Sequence, residues 1–332
     1  MENLGARLDH GGTGEAVGAM SNLQSLGERS RELRSEFEHL VEPNRRPLWR
    51  FCLRLTGSAW DAEDLSQETL LKALGGLYRF GQVLDPRAYL FRIASNTWID
   101  QQRRSRPTAE LDTVEDLPAA AAPEASSNLS DAMEMLVRFL PPRQRVVFLL
   151  IEGFEFQARE VAAMLRLTDG AVKALLHRAR EALHQARQSP NMPASPPTAA
   201  NKLVAAYLDA FNRRDPEALA ALFDPQATNY IVGDWEEQGV ETMKKYSLHF
   251  WKAEPAAERA EYRRLLARDV VVVTTRLPDG SEALWSVIEL ELGTDRVLGH
   301  RWYFFCPEFL EHAAAELGLP AATHGYFYKD PT

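Results

Sequence analysis

The sequence predicts a multidomain chain: two all-α units, the second carrying a helix-turn-helix, followed by an α+β unit shaped as a cone. Three observations predict it. Apolar residues recur at helical spacing through 31–106 and again through 129–187. Two stretches without periodicity, 107–128 and 188–200, separate the units. The β-branched run Val270-Val271-Val272-Val273-Thr274-Thr275 falls only after residue 201, behind two short helical patterns.

Residues 1–30 are rich in Gly, Ser and Asn and are expected to be disordered; Gly11-Gly12-Thr13-Gly14 is too little for a phosphate loop. From Arg31 the pattern is helical, with Leu40, Trp49, Phe51, Cys52 and Leu55 apolar, and Thr56-Gly57-Ser58 should end the first long helix. A second helix, Trp60 to Leu74, opens with Asp61, Glu63 and Asp64, charges that suit the positive end of a helix dipole whatever else they do. A third opens on Asp85 as N-cap with Pro86 in its first turn and runs to Arg106. Leu90, Ile93, Ala94 and Thr97 form its predicted buried face; Arg92, Ser95, Asn96, Ile99 and Arg103 point outward, with Arg104 and Arg106 beyond. Arginines and amides on one face can hold phosphates and read base edges.

Pro107 to Ser130 is Ala/Pro/Ser-rich and acidic and reads as a tether. Beyond it, Phe154 to Ala186 gives two short helices broken at Arg166-Leu167-Thr168, with Thr168 as N-cap of the second. Val172, Leu176, Ala179 and Leu183 share the predicted buried face of that helix, while Lys173, His177, Arg178 and Arg180 lie on or beside the other. That pattern fits a helix-turn-helix laid in the major groove, and equally a helical hairpin with a solvated charged face. A second linker, marked by Pro190, Pro193, Pro196 and Pro197, precedes the last unit. There Lys202–Phe211 and Asp215–Phe223 read as helices. Val270–Arg276, the turn Leu277-Pro278-Asp279-Gly280, Ala283–Leu292 and Arg296–Phe305 read as a curved antiparallel sheet.

Charge locates function. The chain is net −9, which alone argues against nucleic acid, but the excess is not spread evenly. Residues 1–107 hold 15 basic and 14 acidic side chains and 140–188 hold 8 and 5. Residues 108–139 hold 1 and 7, and 201–332 hold 14 and 21. The two cysteines, Cys52 and Cys306, form no CxxC, which excludes a cysteine-based zinc site and a disulfide framework and fits a reducing cytoplasm. No apolar run approaches membrane-spanning length, and neither a cofactor nor a metal is called for.

Gly153-Phe154, Val161-Ala162-Ala163-Met164-Leu165, Gly170-Ala171-Val172-Lys173 and Leu176-His177-Arg178-Ala179-Arg180 together resemble region 4 of the extracytoplasmic-function sigma factors of bacterial RNA polymerase, with Leu175 and Ala171 departing from the usual basic and hydroxyl residues. Asp61 to Leu74 resembles sigma region 2, and the likeness continues through Tyr78, Phe80 and the helix from Pro86 to Arg106. The resemblance implies two partners: core RNA polymerase, through its beta-prime clamp helices and beta flap, and promoter DNA. It places Asp61, Glu63, Asp64 and Gln67 on polymerase. Tyr78, Phe80, Arg92, Asn96, Arg103 and Arg104 fall on the downstream promoter element, with Trp98 a further stacking candidate. Thr168, Lys173, His177, Arg178 and Arg180 fall on the upstream element.

From Val204 and Tyr207 through Phe211-Asn212 and Asp215-Pro216 to Leu222-Phe223, the last unit resembles SnoaL-like domains, some enzymes and some regulatory modules. As a catalyst it would need a base facing an apolar pocket, and Asp234, His249, Glu289 and His300 are the candidates, beside Trp235, Trp251, Trp285 and Tyr303. As a sensor it would take a small ligand. The resemblance implies a non-enzymatic sigma factor adjusted by its own C-terminal domain. A stand-alone helix-turn-helix regulator, or a SnoaL-like isomerase or cyclase with a DNA-binding front end, are the alternatives.

Overall fold

A computed structural model describes residues 12–76, 85–105, 136, 139–186, 202–233, 235–253 and 258–326. Tyr78, Phe80, Arg106, Asp234 and both expected linkers lie outside them.

In the first helical unit α1 (Gly12–Thr56), α2 (Ala59–Gly75) and α3 (Pro86–Arg104) pack together. Helix α1 begins at Gly12, inside the stretch expected to be disordered, because Ala16, Ala19, Met20 and Leu23 carry a helical spacing that the glycines and serines obscure. It ends where Gly57 takes φ +76° and Thr56 Oγ1 donates to the Cys52 carbonyl. Ser58 then caps α2 and Asp85 caps α3, each side chain accepting a backbone N–H of the first turn. Ser95 corrects the sequence reading of α3: it is fully buried, its hydroxyl donating to the Phe91 carbonyl within the helix.

The second unit holds α4 (Pro142–Phe148), a wide turn over Leu149–Gly153, α5 (Ala158–Leu165) and α6 (Asp169–Ala186). Arg166 in the left-handed region (φ 55°) stops α5, and Thr168 accepts the Ala171 N–H at 3.2 Å to start α6. The helix-turn-helix forms where the sequence placed it. Leu175, rather than Leu176, is the more deeply buried of that pair, beside Val172 and Ala179. This unit docks on the first through an aromatic cluster: Phe51 and Phe91 stack at 4.8 Å, and Phe154 meets both edge-on. Arg145 reaches from α4 to the Leu55 carbonyl at 2.5 Å and lies over the Trp98 ring.

The third unit is the predicted α+β cone. It contains α7 (Lys202–Asn212), α8 (Pro216–Ala220), β1 (Phe223–Ile231), β2 (Glu236–Gln238), α9 (Val240–Lys245), α10 (Ser247–Ala253), β3 (Arg259–Leu265), β4 (Arg268–Arg276), β5 (Glu282–Leu292), β6 (Val297–Tyr303) and α11 (Pro307–Leu317). The six-stranded sheet runs β2-β1-β6-β5-β4-β3. It is mixed where an antiparallel sheet was expected, because β1 pairs in parallel with β6. Register shifts in β1, β4 and β5 bend it.

The two sheet faces divide the hydrophobic core. Tyr207, Phe211, Leu219, Met243 and Trp251 fill the inner face against Val271, Val273, Ile288 and Trp302. On the outer face Val270, Val272, Val287, Tyr303 and α11 join the core of the helical units without a break. Strand β4 is therefore buried on both sides, which is why it reads as a continuous valine run.

Candidate functional site

Three side chains one turn apart, and a fourth beside them, start the site. Asp61, Asp64 and Gln67 recur along one side of α2, with Glu63 at its edge, and every one of them meets the C-terminal cone. Arg268 Nη2 stands 3.4 Å from Asp61, and Arg301 Nη1 stands 3.1 Å from both oxygens of Asp64. Gln67 lies against Gly233 so closely that a Cβ there would come within 3.3 Å of its amide nitrogen. Glu63 is 3 % exposed; it accepts Trp49 Nε1 at 2.9 Å and Gln67 Nε2 at 2.7 Å, and the Cys306 thiol at the start of α11, which donates to the Val232 carbonyl at 3.7 Å, lies within its field.

The anchor of this seam is Trp60, which the sequence reading passed over. It is 1 % exposed, donates Nε1–H to the Leu266 carbonyl at 3.0 Å, and packs at 5.1 Å on Tyr303 and 4.8 Å on Phe309. Arg268 covers the indole as well as pairing with Asp61 and Glu289. Fully burying a large apolar side chain contributes about 1.5–3 kcal/mol. The flanking ion pairs are over a third exposed and contribute less, about 0.2–1 kcal/mol each. A tryptophan next to an acidic helix start was the available signal; its partners lie some two hundred residues away.

The residues expected on DNA have the opposite environment. On α6, Lys173, His177 and Arg180 are exposed on one face, spaced by four and three residues; Arg178 is half-buried beside them and Thr168 serves as the cap. Arg180 pairs with Glu152 of the preceding turn. On α3, Arg92, Asn96, Arg103 and Arg104 are exposed, Arg92 lying over the Tyr89 ring and Arg103 pairing with Asp100 at 3.1 Å. Trp98 is 2 % exposed beneath Arg145, so it is core and not a stacking surface in this arrangement.

The described catalytic candidates of the cone, His249, Glu289 and His300, do not converge. His300 faces inward, its ring nitrogens 2.8 Å from the Tyr207 hydroxyl and 2.8 Å from Asn229 Oδ1. Burial lowers its pKa to about 3 and keeps it neutral. Asn229 continues the network to Glu237 and Ser247. Glu289 sits on the outer face paired to Arg268, and His249 is exposed on α10. Trp251 and Tyr303 are buried packing residues on opposite faces. No group of three or more His, Cys, Asp or Glu side chains could hold a metal among the described residues. No described helix is long and apolar enough to cross a membrane. A polar groove of about 840 Å³ remains where the outer sheet face extends past α2, lined by Asp64, Tyr230, Arg268, Glu289 and Arg301 among others.

Residues 40–108 match the family profile of sigma-70 region 2, and residues 130–183 match that of sigma-70 region 4. The chain is similar to the ECF RNA polymerase sigma factor SigG of Mycobacterium tuberculosis, 34% identical over 226 residues, which cover 59% of this chain and 61% of SigG. It thus spans about three fifths of that relative's length. SigL of the same species is 34% identical over 144 residues, covering 41% of this chain and 80% of SigL. The crystal structure of SigJ, also from M. tuberculosis, is similar at 22% identity and a TM-score of 0.31, covering 83% of this chain and 97% of SigJ. The chain belongs to the extracytoplasmic-function sigma factors of the sigma-70 family.

Proposed function

We propose that the chain joins core RNA polymerase through the α2 face of region 2, directs it to a two-part promoter, and is adjusted by its own C-terminal cone. The observation that carries this reading is the chemistry of the α2 face. Asp61 and Asp64 already hold two guanidinium groups, as a surface that docks a basic protein partner would. In the closed chain that partner is the cone, so polymerase and the cone compete for the same carboxylates. Region 4 would read the upstream element with Lys173 and His177, while Arg178 and Arg180 hold phosphates; α3 would serve the downstream element with Arg92, Asn96 and Arg103. The covalent chemistry of transcription belongs to polymerase, and His300 is held between Tyr207 and Asn229 inside the cone.

The test is reconstitution: core polymerase with the full chain should give promoter-dependent run-off transcripts. A chain that binds promoter fragments tightly by itself and never alters polymerase output would instead be a stand-alone regulator.

A further inference from the structure

Of Asp61, Glu63 and Asp64, Glu63 alone has no arginine partner among the described residues. The groups acting on its carboxyl are Gln67, Glu308, Cys306 and Trp49, and none of these is a cation. The elements packed around it add little positive charge. From α1, the buried Cys52 thiol faces it, and burial and Glu63 together push that thiol's pKa up. From the cone, Tyr230 and Tyr326 lie within its field, and Tyr326 donates its hydroxyl to Glu308 while Arg45 of α1 stacks on the Tyr326 ring. His312 of α11 packs on Trp49 with ring centroids 5.5 Å apart. A carboxyl has thus been buried at the meeting of α1, α2 and the start of α11, with a second carboxyl opposite it.

We propose that Glu63 makes the seam between region 2 and the C-terminal cone a proton-linked latch, closed while its carboxyl is protonated and loosened when it ionises. Ionisation in place would leave a buried charge with hydrogen bonds but no counter-ion, and with Glu308 repelling it. Separating the cone from α2 removes Glu308 and Cys306 and lets water reach the carboxylate, so the ionised form favours the open chain. The direction agrees: burial raises the Glu63 pKa from 4.5 to about 7. For an acid with a raised pKa, the closed state's advantage is complete below pH 4.5 and is lost as pH rises through about 7. His312 works the other way, since burial lowers its pKa and protonation would favour opening. The latch itself is a property of the seam. Its consequence for transcription rests on the reading of α2 as the polymerase face.

Hydrogen exchange on the full chain tests it, with protection factors for α2 and the Leu265–Arg268 turn corrected for the intrinsic pH dependence of exchange. Between about pH 6 and pH 8 the parent chain should lose about tenfold in protection. Glu63→Gln, isosteric and unable to ionise, should abolish that loss and leave only the shallow opposite slope of His312. Protection that is flat in the parent, or that falls as steeply in the Gln variant, overturns the latch. Should Glu63→Gln fail to fold by thermal melting, Glu308→Gln decides the matter: it should move the midpoint of the loss to lower pH, and an unmoved midpoint overturns the proposal. Polymerase affinity measured over the same pH range separates the two claims. Protection that responds to pH while polymerase affinity does not would leave the latch standing and remove the docking reading.

Discussion

The α2 face proposed to dock polymerase and the α3 and α6 faces proposed to read DNA are both charged, with opposite sign, and the fold treats them in opposite ways. On α2 the carboxylates surround a fully buried tryptophan, and the core of region 2 runs straight through that point into the outer face of the sheet. On α3 and α6 the arginines, lysine and amide stand in water over helices whose buried faces look inward. The closed chain therefore buries the α2 face proposed to dock polymerase and displays the faces proposed to read DNA. What separates them is an apolar anchor: charged groups alone stay solvated, because exposed pairs are worth little.

The largest effect should come from removing that anchor. Trp60→Ala deletes the contacts to Tyr303 and Phe309 and the bond to the Leu266 carbonyl, and should lower stability by about 3–5 kcal/mol in denaturant unfolding. Loss of protection should concentrate in the Leu265–Arg268 turn and α11. Wild-type stability in this variant would mean the seam is not held by Trp60.

The DNA faces should respond next, and only in DNA binding. Alanine at Asn96 or Lys173 should cost about 1–3 kcal/mol at single promoter positions, whereas Arg178→Ala and Arg180→Ala should weaken all promoters alike and flatten the salt dependence. Footprints of the reconstituted polymerase complex on a promoter and its point variants would separate the two classes. A footprint unchanged when Arg178 and Arg180 are both removed would contradict their assignment.

How much of this was legible depended on sequence distance. The helix-turn-helix was readable because each signal is local: Thr168 as cap, the break at Arg166, and apolar positions three and four apart. Strands β4 and β5 were readable from a valine run and a Pro-Asp-Gly turn. Strand β3 was not, since Arg259–Leu265 is mostly charged and pairs along its length with β4. Strand β1 was hidden by Pro225 and an irregular register, and its parallel pairing with β6 leaves no local mark. The acidic start of α2 was visible, but dipole compensation explains Asp61 and Asp64 equally well. Their arginine partners, and the burial of Glu63, come from tertiary packing that no local pattern encodes.

The smallest effect should come from the seam's ion pairs. Arg268→Glu with Arg301→Glu places like charges opposite Asp61 and Asp64, and removes about 0.2–1 kcal/mol per pair with some added repulsion. Polymerase affinity should rise several-fold by titration, since the cone then competes less well, while melting temperature changes little. A fall in affinity would mean that the cone assists docking.

The most direct measurement is hydrogen exchange on the intact chain before and after it binds core polymerase. If polymerase and the cone share one face, α2 should stay protected in the complex while the Leu265–Arg268 turn, β6 and α11 lose protection, because their cover has moved from region 2 to polymerase. If those cone segments keep their full protection in the bound complex, the cone never leaves α2, and polymerase docks elsewhere on the chain.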